Sequence, residues 1–409
     1  MAALRSHRRQ IARALCAALI GVGLGWLPAA PARAAEPLEV VITYVTQDED
    51  RVAPLSLLDS LLTDEGLMGA RQAITENQTT GRFLGQSYQL KEVLIPKDGD
   101  LAAAFKQALG AGQRLFILDL HADQLLQLAD LPEAADAVLF NTRAPDDRLR
   151  ISDCRANLFH IMPSRAMKAD ALAEYLVWKR WTRWFLLHGT LEPDLAFAAA
   201  IERAAKKFGA KIVESRAYEY QATARRTDTG HVQIQRQIPV FTQNAPDYDI
   251  AMVADESDIF GEYLPYRLWD ARPVAGTQGL IATAWHRANE QWGATQVQRR
   301  FQKFAGRWMT ERDYTAWLTV RTVGEAVTRT KSADPKTIRD YLRGDQFQVA
   351  GFKGEGLTFR KWDQQMRQPI LIVGARMLVS VSPQEGFLHQ RTPLDTLGYD
   401  EPESSCRLQ

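Results

Sequence analysis

Residues 62–90 read LTDEGLMGARQAITENQTTGRFLGQSYQL. They follow VVITYVT (40–46), an apolar, β-branched run with the pattern of a buried strand. Inside the segment, Leu67, Ala70 and Ile74 fall on one helical face, and Asp64 and Glu65 stand where the positive end of the helix dipole would sit. Polar Asn77-Gln78-Thr79-Thr80 marks the expected helix end, Gly81 the turn, and SYQLKEVLIP the next strand. No residue here is an obvious catalyst. The stretch reads as scaffold.

The same alternation continues outward. DLAAAFKQALGAG reads as a helix, RLFILDL as a strand, ADQLLQLADLPEAAD as helix-like and AVLFNT as a strand. Further on, ADALAEYLVWKRW is helical, with Ala171, Leu172, Tyr175 and Leu176 as its buried stripe, and RWFLLHG is a strand. EPDLAFAAAIERAAKKFGA has Pro193 near its start, a Phe197, Ile201, Ala205, Phe208 face and a Gly209 stop. KIVESRAYEY and YDIAMVADE are further strands. This alternation specifies parallel sheets wrapped by helices, an α/β architecture. Two consecutive helices break it at 295–330, with stripes Val297, Phe301, Phe304, Trp308 and Tyr314, Trp317, Val320, Val327. Two apolar runs flank Gly374 in QPILIVGARMLVSVS, and LHQRTPLDTLGYDEPESSCRLQ reads as a polar surface tail. The three tryptophans of WKRWTRWF (Trp178, Trp181, Trp184) read as helix–sheet packing rather than as a stacking platform.

Residues 1–34 carry the marks of a secretory leader: a basic start, the short apolar run ALCAALIGVGLGWL, and small residues Ala32 and Ala34 at signal-peptidase spacing. The expected location is therefore the periplasm, in soluble form. Removing that segment takes away Arg5, Arg8, Arg9, Arg13 and Arg33, and leaves 45 basic against 49 acidic residues. A mildly acidic chain gives no electrostatic footprint for nucleic acid or anionic lipid, and no later segment has the uncharged length of a membrane span. A mature chain of roughly 375 residues exceeds one ordinary core and suits two lobes. Cys154 and Cys406 remain. In an exported protein the pair invites a disulfide tying the tail back to the first lobe, two unrelated thiols being the alternative.

Chemistry-bearing motifs are missing from the sequence. There is no G-x-S-x-G elbow, P-loop, H-E-x-x-H or C-x-x-C, and the seven histidines lack metal-ligand spacing. No enzyme activity and no required cofactor are expected. The informative positions are the strand ends, since ligands of open α/β sheets bind beyond the carboxyl edges. Those edges hold Tyr44-Thr46-Gln47-Asp48, Asp119–His121, Asn141-Thr142-Arg143, His188–Thr190, Tyr218–Tyr220 and Asp255-Glu256. The Asp48-Glu49-Asp50 run reads as a solvated loop.

The TENQTTGRFLGQ turn, with the order of segments through LFHIMPSRAMKADALAEYL and GTQGLIATAWHR, resembles the type I periplasmic substrate-binding proteins of ABC transporters, the Leu/Ile/Val-binding class. LTDEGLMGARQAITENQTTGRFLG, CRANLFHIMPSRAMKADALAEYL, RFQKFAGRWMTERDYTAWLTVRTVGEA and TLGYDEPES look like a subgroup found with PQQ-dependent alcohol dehydrogenase systems. The resemblance implies two α/β lobes joined by hinge crossovers: 35–160 and 281–345 in lobe I, 161–280 and 346–384 in lobe II, and a 385–409 tail. It also implies a monomer that delivers a small ligand to an inner-membrane ABC permease, with a PQQ-dependent dehydrogenase as a further partner and PQQ as a bound ligand. NTRAPDD stands where the amino-acid binders hold their ligand with a small-residue loop, so Arg143 becomes the fork for a carboxylate, beside Asn141 and Thr142. Trp285 and His286 would supply an aromatic face, Arg225 or Arg226 charge, and Tyr44, Gln47, His121, Tyr218, Asp255 and Glu256 the remaining contacts. A branched-chain amino-acid-type or other small-solute binding protein, a sensing module, an unassembled enzyme site and a dehydrogenase accessory are the rival readings.

Overall fold

The computed structural model describes residues 36–50, 61–219 and 228–408. The leader-like segment therefore lies outside the described residues. The first sheet holds five parallel strands, β1 (Leu38–Gln47), β2 (Gln86–Ile95), β3 (Leu115–Asp119), β4 (Val138–Asn141) and β5 (Leu158–His160), in the order β2-β1-β3-β4-β5. Helices α1 (Leu67–Leu84), α2 (Leu101–Gly110), α3 (Ala122–Ala129) and the one-turn α4 (Arg148–Ile151) connect them. Crossing to the second lobe, the chain forms α5 (Arg165–Trp178), β6 (Arg183–His188), α6 (Glu192–Phe208), β7 (Lys211–Ala217), α7 (Asp228–Thr242), β8 (Ile250–Ala254), α8 (Leu264–Arg267), β9 (Val274–Gly276) and β10 (Leu280–Thr283).

It then returns. Helices α9 (Ala294–Ala305), α10 (Glu311–Thr330) and α11 (Pro335–Arg343) pack on the first sheet. A small antiparallel ribbon follows, β11 (Val349–Ala350), β12 (Gly356–Phe359) and β13 (Met366–Arg367), before β14 (Ile370–Gly374) and β15 (Met377–Ser382). The second sheet runs β15-β14-β10-β9-β8-β6-β7, parallel from β10 to β7 and antiparallel at the β10, β14, β15 edge. Each sheet is buried on both faces. One face of the first is covered by α1, α9 and α10 through residues such as Ala70, Phe301 and Val320, the other by α2 and α3 through Phe105 and Leu125. In the second, α5 and α6 cover one face and α7 and α8 the other. No helix among the described residues is long and apolar enough to cross a membrane.

The stretch that opened the reading has a more specific task than a connector. Helix α1 does not stop at Asn77. It runs on to Leu84 and ends on the left-handed Gly85 (φ 67°). Asn77 is buried and faces α10, where its amide donates to the Val320 carbonyl at 2.9 Å. Glycines let the two helices approach: a Cβ on Gly69 would lie 1.9 Å from the Asp313 carbonyl oxygen, and one on Gly324 would lie 2.4 Å from Asn77 Nδ2. Asp64 and Glu65 pair with Arg307 and Arg312 rather than lying in the first turn of α1. Of the α9 stripe, Val297 and Phe301 are buried, whereas Phe304 and Trp308 are each 43 % exposed, because α9 ends at Gly306 and the chain turns away. Trp184 packs in the core as expected, but Trp178 at the end of α5 is half exposed.

The tail also departs from its expected surface role. Leu394, Asp395 and Leu397 are buried, and Asp395 accepts hydrogen bonds from both Arg360 and Arg367. The Gly398 N–H donates to Asp170 on α5, and Ser404 Oγ donates to the Arg150 carbonyl on α4. Cys406 is disulfide-bonded to Cys154, 252 residues away, with Cα atoms 5.7 Å apart. The tail thus straps α5 of the second lobe to α4 of the first.

Candidate ligand-binding cleft

The carboxyl edges of the two sheets meet at one side chain. Arg165, the first residue of α5 and nearly buried, donates to Glu256 at 2.8 Å and pairs with Asp146 at 3.5 Å. Its own N–H is held by the Pro145 carbonyl at 2.8 Å. Asp146 lies just beyond β4 and Glu256 just beyond β8, so loops past the carboxyl ends of both sheets converge on a single guanidinium. The carboxyl edges of the two sheets, where ligands of open α/β sheets bind, are therefore joined at this ion-pair junction.

On the first lobe the strand ends carry ion pairs. Glu49, two residues beyond β1, places one carboxylate oxygen on the Arg143 guanidinium and the other 2.7 Å from His121 Nε2. The His121 hydrogen bond, helped by the Arg143 charge and opposed by partial burial, pulls the Glu49 carboxyl down to about 2. Deeper, buried Asp119 accepts from the Tyr44 hydroxyl and from Arg312 at 2.7 Å, and Arg312 also reaches Glu65 at 3.2 Å. Burial, then Asp119, drives the Tyr44 phenol well above its ordinary value. Tyr44, Glu49, Glu65, Asp119 and Arg312 border a cavity of about 560 Å³, together with Thr46 and Gln47, within the size range of small-solute pockets. Its charged lining is mainly carboxylate.

On the second lobe the carboxylates serve the backbone. Buried Asp255 accepts N–H bonds from Ile259 (2.9 Å), Phe260 (2.8 Å) and Gly261 (2.6 Å) and so folds the loop after β8 back on itself. Burial pushes its carboxyl upward, while those three N–H groups act in the opposite direction. Asp194 in the first turn of α6 accepts the Ser257 N–H at 2.8 Å.

No protein-family model matches the chain, and no curated protein matches its sequence. Solved structures do match in shape. The leucine-, isoleucine-, valine-, threonine- and alanine-binding protein of Brucella ovis, in a closed conformation, is 16% identical with a TM-score of 0.62, covering 92% of this chain and 100% of that one. An ABC transporter substrate-binding protein from Sphaerobacter thermophilus is 14% identical with a TM-score of 0.65, over 89% and 100% of the two chains. A branched-chain amino acid ABC transporter periplasmic ligand-binding protein from Burkholderia xenovorans is 15% identical with a TM-score of 0.63, over 84% and 95%. The fold is that of the two-lobed type I periplasmic binding proteins.

Within that binding-protein fold the expected site residues separate into two groups. Arg143 and His121 converge at the cleft through Glu49, and Glu256 joins the Arg165 junction. The others that the structure describes are engaged in structural contacts, Tyr44 and Gln47 while also lining the cavity. Trp285 is 2 % exposed and stacked on Tyr314 at 4.6 Å and 8°, so it offers no free face. Tyr44 is fully buried against Asp119, and Tyr218 is buried in a stack on Phe260 with its hydroxyl on Gln237. Asn141 holds the Arg143 and Ala144 N–H groups, and Thr142 donates to the Leu118 carbonyl. Gln47 ties down the carbonyls of Pro96, Lys97 and Gly99. His286 is half-buried, its Nδ1 accepting from the Ala288 N–H. Arg225, Arg226 and Tyr220 lie outside the described residues. The sequence missed Glu49, assigned to a solvated loop, and Arg165 and Arg312, which lie on helices rather than at strand ends.

Proposed function

We propose that this protein is the exported solute-binding component of an ABC transporter, capturing one small carboxylated solute between its lobes and passing it unaltered to an inner-membrane permease. The observation that carries this reading is the convergence of the β4 and β8 edge loops on Arg165, which joins the carboxyl edges of the two sheets. The names of the similar structures, branched-chain amino-acid binders among them, support a solute of amino-acid size. So does the chemistry of the first lobe, where a carboxylate-accepting Arg143–His121 pair adjoins a cavity whose lining favours positive charge. A zwitterion fits both halves.

The finer reading, PQQ as ligand beside a PQQ-dependent alcohol dehydrogenase, rests on the sequence resemblance alone. A tricarboxylate would meet Glu49, Glu65 and Asp119 in the cavity lining, with Arg312 the cation beside them. We therefore rank an amino-acid-like monocarboxylate first. Calorimetric titration with amino acids, 2-oxo acids and PQQ decides between them: the expected result is one-to-one binding of an amino acid or 2-oxo acid, weakened at least tenfold by Arg143→Ala, about 1.4 kcal/mol. Tight binding of PQQ with no response to amino acids would reverse the ranking, and turnover of the bound solute would replace capture with catalysis.

A further inference from the structure

The Arg143–His121 pair is filled from within. Glu49 is held as a bound carboxylate would be, one oxygen on the guanidinium and the other 2.7 Å from an imidazole nitrogen. His121 immediately precedes α3, so the amino-terminal end of that helix adds to the attraction for negative charge. The backbones of Arg143 and His121 are anchored. Asn141 accepts the Arg143 N–H at 3.1 Å, and Gln124 accepts the His121 N–H at 3.1 Å. The side chains differ in exposure, 14 % for Arg143, 37 % for Glu49 and 61 % for His121, and Glu49 lies on the loop beyond β1.

We propose that Arg143 and His121 form a carboxylate-receiving subsite, and that Glu49 is its tethered occupant, displaced by the carboxylate of a monoanionic or zwitterionic solute. The choice of solute rests on the solute-capture reading; the subsite does not. A tethered group competes at an effective concentration of order millimolar or above. A free carboxylate therefore binds with an affinity lowered by the fraction of time Glu49 leaves the site open. Glu49 thus sets a threshold. Weak carboxylates that make no further contacts are turned away, and a solute that also engages the second lobe overcomes the competition. A displaced Glu49 remains beside the cavity, where it can face the ammonium of a zwitterion.

The test uses the full protein with histidine-selective isotope labelling and sodium acetate as the probe, following the His121 ring resonances by NMR. In Glu49→Gln the acetate response is expected at a concentration at least tenfold lower than in the wild type, and adding Arg143→Met should abolish it. Equal midpoints in wild type and Glu49→Gln, or no response in either, would overturn the subsite. The same samples, examined for lobe closure with the amino-acid and 2-oxo-acid panel, separate the two claims. Closure on one of those solutes with no gain from Glu49→Gln sinks the subsite alone. An acetate response at His121 with no solute closing the lobes sinks solute capture alone.

Discussion

The strand edges of the two lobes use the same residue type in opposite ways. On the first lobe, Glu49 and Asp119 bind cationic side chains at the cleft. On the second, Asp255 and Asp194 are turned inward to hold backbone N–H groups, and Glu174 on α5 accepts from the Gln384 N–H and the Thr396 hydroxyl. A carboxylate paired with a guanidinium can exchange partners. One that closes a loop cannot be removed without leaving several donors stranded. The difference teaches where recognition is adjustable: Glu49 on the first lobe and Glu256 at the Arg165 junction hold exchangeable charge, whereas Asp255 and Asp194 brace a fixed wall.

Removing a loop-closing carboxylate should have the largest effect. Asp255→Ala strands the Ile259, Phe260 and Gly261 N–H groups, and a loss of about 3 kcal/mol is expected in denaturant unfolding. Asp119→Ala should cost less, about 2 kcal/mol. It leaves the Tyr44 hydroxyl only its 3.4 Å bond to the Glu65 carbonyl, and Arg312 keeps Glu65 and contact with water. A larger loss at Asp119 than at Asp255 would break the contrast.

Two carboxylates sharpen it through pH. Burial pushes Glu174 up to about 7, against the hydrogen bonds from Thr396 and Gln384. Its folded form therefore binds a proton that the unfolded chain releases. The associated stability is complete below about pH 4.5 and lost as pH rises through about 7. Glu174→Gln should raise stability at pH 8 by about 1–2 kcal/mol and flatten the slope between those values. Glu49 has the opposite sign. Its lowered value means that its contribution is present above about pH 4.5 and fades as pH falls through about 2. Being more than one-third exposed, it is expected to contribute less than about 1 kcal/mol. Glu49→Gln should therefore leave the melting temperature at pH 7 nearly unchanged while altering carboxylate affinity. A large stability loss would make Glu49 a brace rather than an exchangeable occupant.

Much of the scaffold was legible because the sheets are buried on both faces, so strands such as VVITYVT and RLFILDL read as unbroken apolar runs. The end of α1 was not. Polar Asn77 looked like an exit, and its bonds to the Val320 carbonyl and from the Arg321 guanidinium explain a polar residue inside a buried helix face. Gly81 likewise looked like a turn residue while serving the close approach of β2. The tail was misread because its buried charges, Asp395 with Arg360 and Arg367, look like surface composition until they meet. Arg143 and His121 stand at strand ends, where the sequence offers them as candidates. Their partner Glu49 comes from the loop beyond another strand, and Arg165 from a helix start, and local pattern carries neither pairing. Trp285 illustrates the reverse error: an aromatic at a crossover is indistinguishable in sequence from a ligand platform, and here Tyr314 occupies its face.

Small-angle X-ray scattering of the protein with and without each member of the amino-acid and 2-oxo-acid panel tests hinged capture most directly. The expected result is a smaller radius of gyration with one solute, which mass spectrometry then recovers with its mass unchanged. A radius of gyration that no solute alters, or a recovered molecule of different mass, would contradict it.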